Sequence, residues 1–100
     1  MTLSDDPLLS VDFEVFGHVQ GCFFPKYLKE MCDSHGVTGW VKNTKQGTIC
    51  GKLQGLKTQV DEIVEWMTRT GSPGSKPERC DLSNTIYMNA QDFSSFSVRF

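Results

Sequence analysis

One hundred residues are enough for one domain with a real hydrophobic core and leave little room for a second. A formal net charge of −2 argues against the broad basic surface that nucleic acid or an anionic membrane requires, and no apolar run is long enough to span a bilayer. Cys22, Cys32, Cys50 and Cys80 form no C-x-x-C pair and no metal-ligand cadence, so they read as reduced thiols in or near the core.

Residues 1–7 are polar and acidic and read as a loose tail; the tail is placed at 1–8 and the domain at 9–100. The N-terminus lacks the charged, apolar, small-residue order of a signal peptide, so a cytoplasmic protein is the expectation. Val11, Phe13 and Val15 then alternate with Ser10, Asp12 and Glu14, the period of a half-buried strand. Gly17 and Gly21 bracket the next loop. Pro25 fits the start of a helix, where its missing N–H would be unpaired anyway. Phe24, Leu28, Met31, Cys32 and His35 fall on one helical face, and Gly36 supplies the stop.

A second strand is expected over residues 37–42, turn chemistry over 43–47, and a third strand over 48–54, so the two strands form a hairpin. Leu56, Val60, Ile63, Val64 and Met67 mark a second amphipathic helix ending at Gly71. Residues 72–77 (SPGSKP) read as a loop. Weaker strand patterns follow over 82–88 and 95–100, the last with Phe96, Val98 and Phe100 alternating with Ser95, Ser97 and Arg99. The order is βαββαβ plus a short final strand. Two one-faced helices bury their stripes on one face of an antiparallel sheet, which gives a two-layer α/β (α+β) sandwich of the ferredoxin-like kind. Such a fold hosts many functions. Its size and the lack of an obvious apolar edge lead to the expectation of a monomer.

The loop between the first strand and the first helix carries the chemistry. Residues 16–25 read FGHVQGCFFP. A Gly-rich turn entering a helix aims backbone N–H groups at one spot and adds the positive end of the helix dipole, a ready phosphate site. Alone the pattern is weak, because many such loops hold two glycines simply to turn.

Together with EVFGHVQG at 14–21, GWVKNT at 39–44, Gly47 and Thr48, Gln54 and Gly55, Gly71, Ser72 and Pro73, and the aromatic end at 93–100, this loop resembles the acylphosphatase family over nearly the whole chain. The resemblance implies a four-stranded antiparallel core with two helices on one side. It also implies hydrolysis of small acyl phosphates to a carboxylate and inorganic phosphate, without metal or cofactor. By the same resemblance the amides of Val19, Gln20, Gly21, Cys22, Phe23 and Phe24 hold the phosphoryl oxygens, Asn43 orients the attacking water, and Thr44 buttresses the loop. Asn43 has a plain second role as a turn residue, and the two roles are compatible.

The family places an arginine where this chain has Pro25, which carries neither charge nor donor. Loss of one preorganised donor costs about 10²–10³ in rate. Loss of an arginine that stabilises a phosphoryl transition state costs on the order of 10³–10⁵. Feeble hydrolysis is therefore expected unless another cation substitutes, and a non-catalytic anion- or protein-binding protein is the rival reading. Lys26 is one substitute, although it sits about 100° around the helix and also reads as an ordinary exposed residue. His18 is another. Lys42 and Lys45 flank Asn43, but alternation turns Lys42 away from it. No G-x-S-x-G elbow and no G-x-x-x-x-G-K-[ST] loop is present. The first and third strands lack the aromatic stacking signature of RNA binders.

Overall fold

A computed structural model describes residues 6–99. Seven elements follow in chain order: β1 (Leu8–His18), α1 (Phe24–His35), β2 (Thr38–Asn43), β3 (Ile49–Leu56), α2 (Lys57–Arg69), β4 (Lys76–Met88) and β5 (Phe96–Arg99). They form one sheet in the order β4-β1-β3-β2-β5. The pairs β1·β3, β1·β4 and β2·β3 are antiparallel, as the sequence leads one to expect, and β5 adds a parallel fifth strand beside β2.

The alternation in β1 sets the register. Val11 lies opposite Leu53, Phe13 opposite Gly51 and Val15 opposite Ile49. Their apolar side chains share one core with Phe24, Leu28 and Cys32 of α1 and with Val60, Ile63 and Met67 of α2. The rings of Phe24 and Trp66, one from each helix, meet at a centroid distance of 5.3 Å. α1 stops where Gly36 takes φ 70 and the N–H of Val37 reaches back 2.9 Å to the carbonyl of Cys32.

Three expectations change. Residues 76–81, read as the end of a loop and the segment after it, are strand: β4 starts at Lys76, ahead of the expected 82–88. Its residues are almost all exposed, because β4 is an edge that pairs only with β1, so no buried periodicity marks it. Pro77 is tolerated there because an edge strand has one unpaired side. The expected lack of an apolar edge fails on the same strand, which exposes Leu82, Ile86 and Tyr87. Finally, the segment expected to be loose is tied down at its end. Leu8 is already in β1, Pro7 accepts a hydrogen bond from the N–H of Lys57, and the Asp6 carboxylate accepts from the N–H and hydroxyl of Thr58 at the start of α2. Residues 1–5 and Phe100 lie outside the described residues. Among the described residues no helix is long and apolar enough to cross a membrane. The four cysteines are unpaired; burial pushes the Cys32 thiol up, and the Cys80 thiol to about 11, so both stay protonated at neutral pH.

The β1·β4 register slips between Ser10 and Asp12, where Asn84 takes φ 51. The slip brings the Asn84 amide 2.7 Å from one oxygen of Asp12, while the Lys52 ammonium stands 2.7 Å from the other. Burial alone would raise the Asp12 carboxyl, but the hydrogen bonds from Lys52 and Asn84, with the lysine charge, hold it below the usual carboxylate range. A carboxyl depressed in the folded state contributes stability above its unfolded pKa and loses it as pH falls through the folded value. Asp12→Asn is therefore expected to cost up to about 1 kcal/mol at pH 7, since the pair is partly exposed. It is also expected to flatten the fall of the urea midpoint between pH 5 and 3, which equilibrium denaturation across that range measures.

Candidate active site

The loop after β1 turns by alternating the sign of φ. Gly21 (φ 78) and Phe23 (φ 57) are left-handed, and Gln20, Cys22 and Phe24 between and beside them are not. Such alternation brings successive N–H groups to one side of the chain, the geometry of an anion-binding nest. Among the described residues no acceptor takes the N–H of Gln20, Gly21, Cys22, Phe23 or Phe24. A left-handed phenylalanine costs about 1–2 kcal/mol, and Phe23 recovers little of it by packing, being 73% exposed. α1 begins directly after it, with no side-chain cap and no acidic residue in its first turn, so nothing local neutralises its positive end. Pro25 is the second helical residue, where its missing N–H costs the helix no bond.

The loop is fastened to the hairpin that carries Asn43. The Gln20 side-chain amide donates 2.8 Å to the carbonyl of Thr44 and 2.8 Å to that of Thr48, across 24 and 28 residues of sequence. Below it, the Thr44 and Thr48 hydroxyls lie 2.7 Å apart and Thr48 donates 2.6 Å to a Glu14 oxygen, which anchors the turn on β1. These links set Asn43, the last residue of β2, beside the loop.

A depression of about 550 Å³ results, lined by Gly21, Phe23, Pro25, Lys26, Lys29, Asn43, Val98 and Arg99. The structure thus brings together Gly21, Phe23, Pro25, Lys26 and Asn43 of the residues expected from sequence. The side chains of Val19 and Phe24 are buried in the core, so those two can contribute only main chain. The Cys22 thiol points to the carbonyls of Gln20, at 3.4 Å, and Gly74, at 3.9 Å. Thr44 lies outside this depression and lines a second one, with Lys42, Lys45 and Cys50, on the far side of Asn43. His18 is exposed at the end of β1 and lines neither. Lys42 stands over the Trp40 ring at 5.9 Å, turned from Asn43 as alternation requires. The Asn43 side-chain amide has no partner among the described residues, so it is available to a guest.

Two cations of the lining were not singled out in the sequence. Arg99 lies opposite Lys42 in the parallel β2·β5 pair, and its guanidinium stacks 4.4 Å over Trp40. Val41 and Val98, one position back on each strand, pack toward the helices, so the Arg99 guanidinium occupies the opposite face of the sheet. Lys29 had one local signal, its place four residues after Pro25 on the same helical face.

The chain matches the acylphosphatase family model over residues 11–98. It is 44% identical to acylphosphatase-2 of Meleagris gallopavo over 100 residues, 100% of this chain and 97% of the relative. It is 47% identical to acylphosphatase-2 of Anas platyrhynchos over 93 residues, 93% of this chain and 90% of that protein. The chain belongs to the acylphosphatase family. Its backbone follows that of the crystal structure of acylphosphatase from Bacillus subtilis with a TM-score of 0.78 at 28% identity, covering 92% of this chain and 99% of the other. The structure of an acylphosphatase from Coxiella burnetii shares the fold at a TM-score of 0.82 and 24% identity, over 97% of this chain and 100% of the other.

Gln20→Ala removes one of two donors from each carbonyl: Thr44 keeps the N–H of Gly47 and Thr48 keeps the N–H of Thr44. A loss of about 0.5–1.5 kcal/mol for each bond is expected, read as a lower urea midpoint at unchanged slope.

Proposed function

We propose that this chain hydrolyses small acyl phosphates to a carboxylate and inorganic phosphate, slowly. The observation that carries the proposal is the set of unpaired N–H groups at Gln20, Gly21, Cys22, Phe23 and Phe24, next to an unpartnered Asn43 amide. The five donors hold the equatorial phosphoryl oxygens. Asn43 holds a water by one donated and one accepted hydrogen bond. The water oxygen forms a bond to phosphorus as the bond from phosphorus to the acyl oxygen breaks. The electron pair leaves with the carboxylate, and the water's proton passes to the phosphate product. Phosphoryl transfer of this kind depends on positioning and charge stabilisation more than on a reactive protein group.

Pro25 limits the rate. Its ring walls the depression where the family has a guanidinium, and it offers the transition state neither a charge nor an N–H. The same observation favours a second reading, that the chain binds an anion or a protein through this loop without turning a substrate over.

Hydrolysis of benzoyl phosphate separates the two. Measurable turnover in the natural chain, lowered by about 10² or more in Asn43→Ala and raised by about 10² or more in Pro25→Arg, is expected. Turnover that appears only in Pro25→Arg supports the binding reading. A natural chain that is already fast and gains nothing from Pro25→Arg overturns the account of the rate. For binding itself, millimolar inorganic phosphate is expected to shift the amide resonances of residues 20–24; their indifference would sink both readings.

A further inference from the structure

We propose that Lys29 supplies the phosphate-binding charge that Pro25 withholds, with Asp33 as its resting partner. The inference rests on the anion-cradle reading of the loop and names the cation that completes it.

Lys29 follows Pro25 by four residues in α1, so the two share a helical face about 6 Å apart along the axis. The Lys29 ammonium rests one turn further on, at Asp33; side chains of a helix lean toward its N-terminus, and once released from Asp33 the four-carbon stem is long enough to turn back toward Pro25. Lys29 lines the depression together with Gly21, Pro25 and Asn43. Its ammonium is also located. It donates 2.9 Å to the carbonyl of Phe96 on β5 and 2.9 Å to Oδ2 of Asp33. The Phe96 bond seats the resting ammonium across the groove between α1 and β5, at the Gly39 end of β2, while the rest of the side chain borders the depression at the Asn43 end. An ammonium carries three donors on a flexible stem, so it exchanges these contacts for a phosphate in the cradle by swinging toward Asn43.

The other nearby cations are worse placed. Lys26 is exposed and has no partner among the described residues to hold it in one position. The Arg99 guanidinium is committed to Trp40 on the opposite face of the sheet. Asp33, half exposed and four residues along the same helix from Lys29, forms the kind of pair that solvent screens and that a phosphate dianion replaces at small cost. Asp33 therefore competes with the guest. Lysine, moreover, is a point charge without the planar fork of arginine. It attracts the phosphate in the ground state while doing less for the transition state, so its removal should weaken binding more than it slows the bound substrate.

The test titrates inorganic phosphate into the natural chain and its variants. Residues 20–24 are followed by amide resonances, and phosphate inhibition of benzoyl phosphate hydrolysis is measured wherever turnover is detectable. Lys29→Met is expected to weaken phosphate roughly 10-fold or more, as loss of a hydrogen bond from a charged group does. Its effect on KM should exceed its effect on kcat, and Lys29→Arg should restore most of the affinity. Asp33→Asn, which frees the lysine without removing it, is expected to tighten phosphate about 2- to 5-fold, a modest screened effect. Lys57→Met, which breaks the similarly spaced pair with Asp61 on α2, should leave it unchanged. Phosphate binding at residues 20–24 that survives Lys29→Met intact, or that weakens in Asp33→Asn, overturns the assignment while leaving the cradle standing. So does a loss in Lys26→Met larger than that in Lys29→Met. If the natural chain shows no response at residues 20–24, the cradle and the lysine assignment fall together.

Discussion

The paired hydrogen bonds from Gln20 to the carbonyls of Thr44 and Thr48 are what turn two separate loops into one site. The nest between β1 and α1 could form on its own, because it is a matter of backbone conformation at Gly21 and Phe23. Asn43 could likewise end its strand anywhere along the sheet edge. Neither alone brings a water to a held phosphoryl group. Gln20 spends its donors on the hairpin, and the Thr44, Thr48 and Glu14 relay behind it stops that hairpin from sliding on β1. Gln20 was expected to offer a guest its main-chain N–H, and its side chain holds the two loops together.

How much of this was legible depends on where each signal resides. The first strand and both helices announce themselves because one face is buried and the other wet, and period two or 3.6 follows directly. The place of Asn43 at the end of β2 and the turn between β1 and α1 were readable from a local pattern and a family likeness. β4 was half-hidden because its first residues bury almost nothing: Lys76, Pro77 and Arg79 are held by main-chain pairing to β1, and Glu78 is the extra residue at a register shift. Main-chain pairing writes no side-chain pattern. The roles of Gln20 and Lys29 were hidden for a different reason: each is set by a partner far away in sequence, Thr48 in one case and Phe96 in the other. A residue whose function is to bridge cannot be recognised until both banks are known.

Charge is the quantity on which the proposed account of the site turns. A main-chain grip of the kind proposed does not depend on which side chains the loop carries, provided Gly21 and Phe23 keep their left-handed turns. The cost of the phenylalanine turn is about 1–2 kcal/mol, tolerable within the stability of a small domain. A guanidinium is a different kind of component: one side chain at one position, lost entirely by one replacement.

Grip and turnover are therefore separable in this scaffold. A nest with a helix N-terminus behind it binds an anion in its resting charge state, and a lysine beside it adds attraction without directional preference. What the proposed reaction asks for in addition is stabilisation that grows as charge spreads over the equatorial oxygens, and planar paired donors provide that better than a point charge. On the proposed reading, Pro25 leaves the site most of what holds a phosphate and removes most of what would hurry its transfer. On that reading slow chemistry and anion affinity have one cause, and the ratio between them depends on how far the Lys29 ammonium leaves Asp33 when a guest arrives.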